Sequence, residues 1–494
     1  MNVPCWSLVP ENLVQEYALF PLEVHEGKII IACSRPLSPE ALASLHFCLG
    51  CSIEQRLLSS ETTTSETTKD FLEKNCSLKT SMQLEVMMEN SSSPFCFMSN
   101  EDPLEKKQEQ EDPIVLHLKM LLDEAIEENA SDIHLESSAK DCRLRYRIDG
   151  FLVEKKSIPL PLAGPLLSRL KLLAHLDITE CRLSQDGRLT HSWKNYTVDF
   201  RLSSLPTQFG ESLVLRLLDR RKMIRSLGSL ELSAQLERSL GYLLKKPHGL
   251  LLVTGPIGAG KTTTLYACLQ ELQEYKLKII TAEDPVEYEI EGMLQVPIEE
   301  SIGRTFERMI RSFLRHDPDV IMIGETRDEE TARRAMEASL TGHLVLTTLH
   351  TSDAPEAISR LMNMGLDPFL ITTTLEGVLA QRLVRKICSC CSRAYSCDEY
   401  SKEEITFFHD DPLPKQLYTG SGCKRCHGTG YYGRVAMMEL LLPSDQLRLL
   451  IHQRASSHQL REQAHREGMI SLQAEAKRYV IEGITTVAEI RRVL

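Results

Sequence analysis

Residues 255–262 read GPIGAGKT, which satisfies the phosphate-cradling pattern GxxxxGK(S/T) at every fixed position. In such a loop Gly255, Gly258 and Gly260 let backbone N–H groups close around the β- and γ-phosphates, where a Cβ would obstruct them. Pro256, Ile257 and Ala259 fill the variable positions. Lys261 supplies a point charge and the Thr262 hydroxyl is placed to ligate magnesium. The helix that begins there, with Thr263 in its first turn, adds its positive end to the cradle. A pattern this short can arise by chance, but here it follows a buried-strand pattern, LLLVT at 250–254, and opens a helix, as the mechanism requires.

A phosphate site of this kind needs carboxylates. The magnesium-binding strand of such enzymes ordinarily ends in Asp. Here the corresponding strand reads DVIMIGET, with Gly324 where that acid would stand and Glu325 immediately after. A carboxylate at a strand end beside the γ-phosphate is placed to accept a proton from attacking water, which makes Glu325 the candidate base. The neighbouring strand end, TAEDPVEYE, offers Glu283, Asp284 and Glu287 at the carboxyl end of a buried strand, where open sheets bind ligands. Taken singly, each of these acids reads equally well as a loop charge or a helix cap; beside a phosphate loop the set reads as help for the metal. His343 and His350 bracket HLVLTTLH at opposite ends of one strand. His350, at the carboxyl end, is the one placed to sense the γ-phosphate.

The second chemical pattern is thiolate. Cys388 and Cys391 are spaced CxxC, and Cys423 and Cys426 repeat the spacing beside the Gly-rich turns of TGSGCKRCHGTGYYG. Two such pairs suit tetrahedral binding of zinc with no open position, which is a structural role. Cys390 and His427 are alternative ligands.

Elements must hold these residues in place, and composition bounds what they can be. The chain has 494 residues, 42% of them hydrophobic and 26% charged, and a formal net charge of -12. That length suits about three globular domains, and the charge argues against nucleic acid as the main partner. Fifteen cysteines, an odd count, point to thiols and metal. The opening MNVPCWSLVP shows no basic stretch followed by an apolar one, so export of the chain is not expected. No run approaches the ~18 apolar residues of a membrane span.

Residues 1–58 alternate KIIIA with the helical pattern PEALASLHFCLG and read as a small α/β module. Residues 59–112, from SSETTTSETTKD to LEKKQEQEDP, read as a flexible acidic, Ser/Thr-rich tether, with a weak helical pattern near 81–88. Asp112 and Pro113 then open a helix in which Ile114, Leu118, Leu121, Leu122, Ala125 and Ile126 share one face. Leu144, Tyr146 and Ile148 alternate with Arg143, Arg145 and Arg147, Asp149 and Gly150 supply a hairpin turn, and YTVDFRLS alternates again. Residues 113–224 therefore read as an α+β domain. Residues 225–494 alternate helices with strands apolar on both faces, the pattern of a parallel sheet covered on two sides.

At this point several stretches agree on one family. GPIGAGKTTTLYA, ITAEDPVEY, LRHDPDVIMIGETRD, TGHLVLTTLHTSDAPEA and the paired CxxC segment resemble the secretion and pilus assembly ATPases of the GspE/PilB type, as do SDIHLE, RYRIDG, QDGR and DFRLSSLPTQFGESLVLRLL upstream. The resemblance runs from 113 to 494. It implies a RecA-like P-loop ATPase domain at 225–494 with a zinc-binding module at 388–430, preceded by an α+β, PAS-like domain at 113–224. ATP, Mg2+ and Zn2+ are the implied cofactors. Arg201 and Arg216 match family arginines that reach the nucleotide phosphates, and Arg311, Arg315 and Arg327 match others. Glu283, Asp284 and Glu287 fall in the family's Asp box, His343 and His350 in its His box. Glu325 matches its catalytic glutamate, after the usual Gly324. Ile257 and Ala259 depart from the more frequent Thr and Ser, at variable positions.

The first 58 residues are similar to the family's N-terminal adaptor domain. The paired RLG-type motif of its cyclic-di-GMP-binding version is not found, so that ligand is not expected. The resemblance further implies a homo-hexamer in the bacterial cytoplasm, at the periphery of the inner membrane. Its implied partners are a GspL-like anchor protein, met through the adaptor, a GspF-like platform protein and a lipid surface. The implied work is pseudopilus assembly for type II secretion. A type IV pilus extension motor and a catalytically weak nucleotide-binding scaffold ring are the alternatives. Retraction ATPases of the family lack the paired CxxC module, and a DNA-translocating motor leaves the Asp box, His box and zinc pairs unexplained.

Overall fold

The structure, a computed structural model, describes residues 19–25, 28–33, 52–57, 113–219, 226–409 and 411–494. They belong to two units, Met1–Asp112 and Pro113–Leu494. In the first unit β1 (Leu19–His25), β2 (Lys28–Cys33) and β3 (Ser52–Leu57) form one sheet, with β2 antiparallel to β1 and parallel to β3. Ile30 and Ile31 of β2 are buried. The helical pattern of PEALASLHFCLG, the tether at 59–112 and the cap residue Asp112 lie outside the described residues.

The second unit begins with α1 (Pro113–Glu127), β4 (Ala130–Ser137), β5 (Asp141–Ile148), β6 (Phe151–Glu154), β7 (Ile158–Pro159), α2 (Leu160–Leu173), β8 (Gln185–Trp193), β9 (Tyr196–Thr207) and β10 (Gly210–Leu218). The strands pair antiparallel in the order β6-β5-β4-β10-β9-β8, with β7 on β5. Alternation sends Leu144, Tyr146, Val198, Phe200 and Leu202 to one face, where Leu118, Leu122 and Ile126 of α1 and Leu166 and Leu170 of α2 bury them. The opposite face carries the arginines. Asp149 (φ 48°) and Gly150 (φ 89°) turn the β5–β6 hairpin in the left-handed region that the right-handed strand twist favours.

The rest of the unit holds α3 (Ala234–Leu244), β11 (Gly249–Thr254), α4 (Lys261–Gln273), β12 (Ile279–Glu283), β13 (Leu294–Pro297), α5 (Phe306–Phe313), β14 (Val320–Ile323), α6 (Glu329–Leu340), β15 (Leu344–Leu349), α7 (Ala354–Asn363), α8 (Pro368–Thr374) and β16 (Leu375–Ile387). Next come β17 (Ser392–Ser396), α9 (Lys402–Phe407), β18 (Gln416–Gly420), β19 (Tyr431–Leu441), α10 (Asp445–His452), α11 (Ser457–Arg466), α12 (Leu472–Ile481) and α13 (Val487–Val493). One sheet runs β13-β12-β14-β15-β11-β16-β19, parallel except for β19 at its edge. Every residue of β11, β12, β14 and β15 is buried, because helices cover both faces. Leu250, Leu252, Ile321 and Ile323 pack toward Ala335 and Met336 of α6 and Ile358 of α7. Leu251, Val253 and Met322 point the other way, to Leu240 of α3 and Leu265 and Leu269 of α4. The β16–β19 hairpin runs on past the sheet into the cysteine module, whose own ribbon is β17–β18. Among the described residues no helix is long and apolar enough to cross a membrane.

Candidate active site

The turn from β11 into α4 has the backbone that its glycines predict. Gly255 (φ 153°), Gly258 (φ 77°) and Gly260 (φ 85°) all lie at positive φ. A Cβ on Gly255 would come within 2.5 Å of the Gln381 carbonyl oxygen, so no other residue fits there. The N-terminus of α4 takes no side-chain cap from Gly260, which leaves its leading N–H groups directed into the loop. Lys261 is buried. Its Nζ donates to the carbonyls of Gly255 (2.8 Å) and Pro256 (3.0 Å), and burial lowers the amine to about 8, with Glu325 opposing the shift. Ile257 and Thr262 are exposed.

The carboxyl ends of the strands bring the acids and His350 to this loop. His350 lies between Lys261, 3.4 Å from its Nδ1, and Glu325, 3.7 Å from its Nε2. The second distance is too long for a hydrogen bond. Burial, and then the Lys261 charge, lower the imidazole's pKa, so His350 is neutral at neutral pH. Glu325 pairs closely with Arg327, whose guanidinium is 3.6 Å from Asp284. Lys261, His350, Glu325, Arg327 and Asp284 thus form one continuous strip. Gly324 precedes Glu325 because a Cβ there would press to 3.2 Å of the Ala282 carbonyl on β12. Thr348 of β15 donates to the Gly324 carbonyl at 2.7 Å, and the Thr326 and Thr347 hydroxyls meet at 2.8 Å, which pins the segment. Beyond Asp284, Arg201 of β9 reaches over from the antiparallel sheet of the same unit. It donates to the Val286 carbonyl at 2.8 Å and lies 3.5 Å from Glu287.

Several expectations need correction. Glu283 does not face the crevice. As the last residue of β12 it points into the interior, 3% exposed, and accepts from the hydroxyls of Tyr266 and Thr281 and from Gln295 at 3.1 Å. The expected carboxylate trio is therefore split, with Asp284 and Glu287 beyond the strand end and Glu283 a buried acceptor. His343 stands at the amino end of β15, its carbonyl accepting from Gly249, while the phosphate loop leaves the carboxyl end of the parallel strand β11. Strand length alone separates it from His350 by roughly 20 Å. Arg311 and Arg315 are exposed at the end of α5 and apart from the strip. Arg311 pairs with Glu307 and lies 3.7 Å from Glu330 of α6, and Arg315 caps the Arg311 carbonyl at 2.9 Å. Arg216 is held by Asp132 at 3.0 Å.

Three buried polar residues were not singled out from sequence. Gln381 of β16 donates to the Ala259 carbonyl and accepts from Thr264 at 2.8 Å, clamping the loop from below. Arg382 donates to the carbonyls of Gln381 and Ser352, the latter just past His350. Glu439 of β19 accepts from the leading N–H groups of α7 (Ala354, 2.7 Å) and α12 (Leu472, 2.8 Å). The available signal was a polar QR pair inside the apolar run VLAQRLV.

In the cysteine module the thiols of Cys388, Cys391, Cys423 and Cys426 all lie within 4.8 Å of one another. The Cys388–Cys423 and Cys391–Cys426 sulfurs are 3.8 Å apart and the Cys423–Cys426 pair 3.7 Å. Four sulfurs at ~2.3 Å from a central zinc would be spaced by about 3.8 Å, so the donor set fits that ion. Cys390 instead accepts from Arg425 at 3.3 Å, and His427 sits 3.9 Å from Glu128, both outside the set.

Known proteins resemble this chain over most of its length. The family described as type II/IV secretion system protein matches residues 107–492, and the MshEN domain matches residues 2–71. The type II secretion system protein E of Pseudomonas aeruginosa is 46% identical over 388 residues, 78% of this chain and 76% of its own length. The type IV pilus assembly ATPase PilB of Myxococcus xanthus is 39% identical over 491 residues, 98% of this chain and 85% of its own. Among solved structures, the ATPase DotB of Legionella pneumophila superposes with a TM-score of 0.56 at 21% identity, covering 78% of this chain and 97% of that one, which establishes the shared fold.

Proposed function

The chain belongs to the type II/IV secretion system protein family, the ATPases of type II secretion and type IV pilus assembly, and from that premise we propose that it is the motor of a type II secretion system. It is an ATP hydrolase. The observation that carries the reading is the strip from Lys261 to Asp284 at the carboxyl ends of the sheet, met at its far end by Arg201 from a different domain.

In this reading the N–H groups of 257–260 and the Lys261 ammonium hold the β- and γ-phosphates, and Glu325 accepts the proton of the attacking water. Arg327 keeps Glu325 beside Asp284, and the neutral His350 between Lys261 and Glu325 senses whether a γ-phosphate is present. Magnesium, when bound, neutralises phosphate charge. The exposed Thr262 and the Asp284 carboxylate are the oxygen donors this chain offers to such a hard cation. Zinc on the four cysteines would tie the ends of the β16–β19 hairpin.

Residues 1–58 are proposed as the adaptor, 59–112 as the tether, 113–224 as the arginine-bearing domain and 225–494 as the ATPase domain with its zinc module. The arginine-bearing domain also touches the ends of β16 and β19 that lead into the module. Asp149 accepts from Gly433 at 2.7 Å, and the Phe151 ring lies under Arg385, 3.8 Å from its centroid. Closure on ATP at one contact and release after hydrolysis would therefore be felt at the other. In a homo-hexamer, with the exposed Arg311 and Arg315 facing a neighbour, such motions would turn or lift a GspF-like platform while the adaptor holds a GspL-like anchor at the inner membrane.

One observation favours the pilus extension reading. The PilB relatives align over 98% of the chain and so include its first hundred residues, whereas these type II relatives align over 77–80%. Replacing Glu325 by Gln in the native cell, and scoring both extracellular protein and surface pili, separates the two. Loss of secretion supports the proposal, loss of pili alone supports the second reading, and no change in either removes both.

A further inference from the structure

The arginines of the first sheet of the larger unit fall in one cross-strand row. Arg188 on β8 stands opposite Arg201 on β9, Arg201 opposite Arg216 on β10, and Arg216 opposite Asp132 on β4, which in turn faces Arg147 on β5. Like charges directly opposite on neighbouring strands repel, and the acids present do not match the arginines one for one. Asp132 divides its carboxylate between Arg216 (3.0 Å) and Arg147 (3.6 Å), and Glu287 is 3.5 Å from Arg201. Arg188 is exposed and has no ion pair among the described residues. Asp186, two residues earlier on β8, is near enough to line the same cavity but does not pair with it.

The row opens on a cavity of 420 Å³ lined by Arg188, Arg201, Arg216 and, from the ATPase domain, Pro285. Pro285 directly follows Asp284, the last member of the strip that leads back to Lys261. The backbone that carries Arg188 is firmly seated. A Cβ on Gly187 would come within 2.4 Å of the Ala174 carbonyl at the end of α2, so β8 lies hard against that turn. Three arginines thus stand opposite one another on neighbouring strands, at a cost in repulsion, on the edge of the cavity that Pro285 also lines. A polyanion relieves that repulsion, and guanidinium forks match phosphate oxygens in pairs.

We propose that Arg188 is a third phosphate-contacting arginine, acting with Arg201 and Arg216 on the γ-phosphate end of the bound triphosphate. The proposal rests on the nucleotide reading given above. The phosphate loop holds the β- and γ-phosphates from the ATPase domain, and the row meets the γ-phosphate from the other domain, so it discriminates ATP from ADP.

The test measures equilibrium binding of a β,γ-imido ATP analogue and of ADP, each with Mg2+, to the full-length chain and to Arg188→Gln, Arg188→Lys and Arg201→Gln. We expect Arg188→Gln to weaken the analogue about tenfold or more, the scale of one charge-assisted hydrogen bond, while ADP changes less than about twofold. Arg188→Lys, which keeps the charge and loses the fork, should recover part of the loss. Undiminished analogue binding by Arg188→Gln alongside a loss in Arg201→Gln would overturn the Arg188 assignment and leave the site reading standing. Equal weakening of both ligands would also overturn it. Undiminished binding in all three variants would overturn the assignment and the phosphate role of the whole row together.

Discussion

Lys261 sits where burial and a triphosphate make opposite demands on one amine. Burial lowers its pKa to about 8 in the free protein, whereas phosphate binds the ammonium form. Below that value the amine is already charged and binding takes up no proton there; above it, binding must supply one. ATP affinity is therefore expected to hold on the acid side and to fall by up to roughly tenfold per pH unit above about pH 8. Calorimetry at about pH 8.5 in buffers of different ionisation enthalpy should register proton uptake, and a pH-independent affinity across that range would contradict the geometry. At this scale the phosphate loop was legible because its chemistry prescribes residue types in consecutive positions. Glu283 was not separable from Asp284 and Glu287, since one residue more or less of strand decides whether a carboxylate points inward, and the sequence ITAEDPV does not mark that end. Gln381 stayed hidden for a different reason. Its partner Thr264 is 117 residues away, and no local spacing encodes the contact.

The elements that matter most to the site are β16 and β19. Gln381 satisfies both the Ala259 carbonyl and the Thr264 hydroxyl inside a closed interior. Gln381→Ala leaves two buried polar groups unpaired and is expected to destabilise the domain by about 1–3 kcal/mol, with weaker nucleotide binding, as read by denaturant unfolding and titration. Wild-type stability in that variant would mean that the loop does not depend on β16. The far end of the same hairpin carries the cysteines, so zinc is expected at about one ion per chain in freshly purified protein. Cys423→Ser with Cys426→Ser should release it and lower the melting temperature; elemental analysis that finds no zinc in the unaltered chain would refute the site. The buried strands were legible because helices on both faces leave each strand uniformly apolar. Their order in the sheet was not, since β11 lies between β15 and β16 through crossovers that composition does not record. The extension of β16 past the sheet was equally silent, as LEGVLAQRLVRKI reads as a single strand from end to end.

At the scale of the molecule, the proposed function needs two domains to close over a nucleotide and a third region to connect them to a membrane machine. Arg201 is the contact that makes the first of these physical, since it reaches from β9 to the loop beyond Asp284. The family was legible because its motifs sit at several separate strand ends that a single fold brings together; the machine it serves was less so, because the region that would choose a partner carries little patterned chemistry. Hydrolysis is what would reopen the closed domains, and in the proposed mechanism it depends on Glu325. The decisive measurement is phosphate release from Mg-ATP by the full-length chain and by Glu325→Gln, with ATP binding determined on the same preparations. We predict that the substitution lowers turnover by about 10²–10⁴-fold, the usual share of a general base, while binding is retained. Turnover within about twofold of the unaltered chain, far inside that share, would show that Glu325 is not the base and that hydrolysis is organised elsewhere.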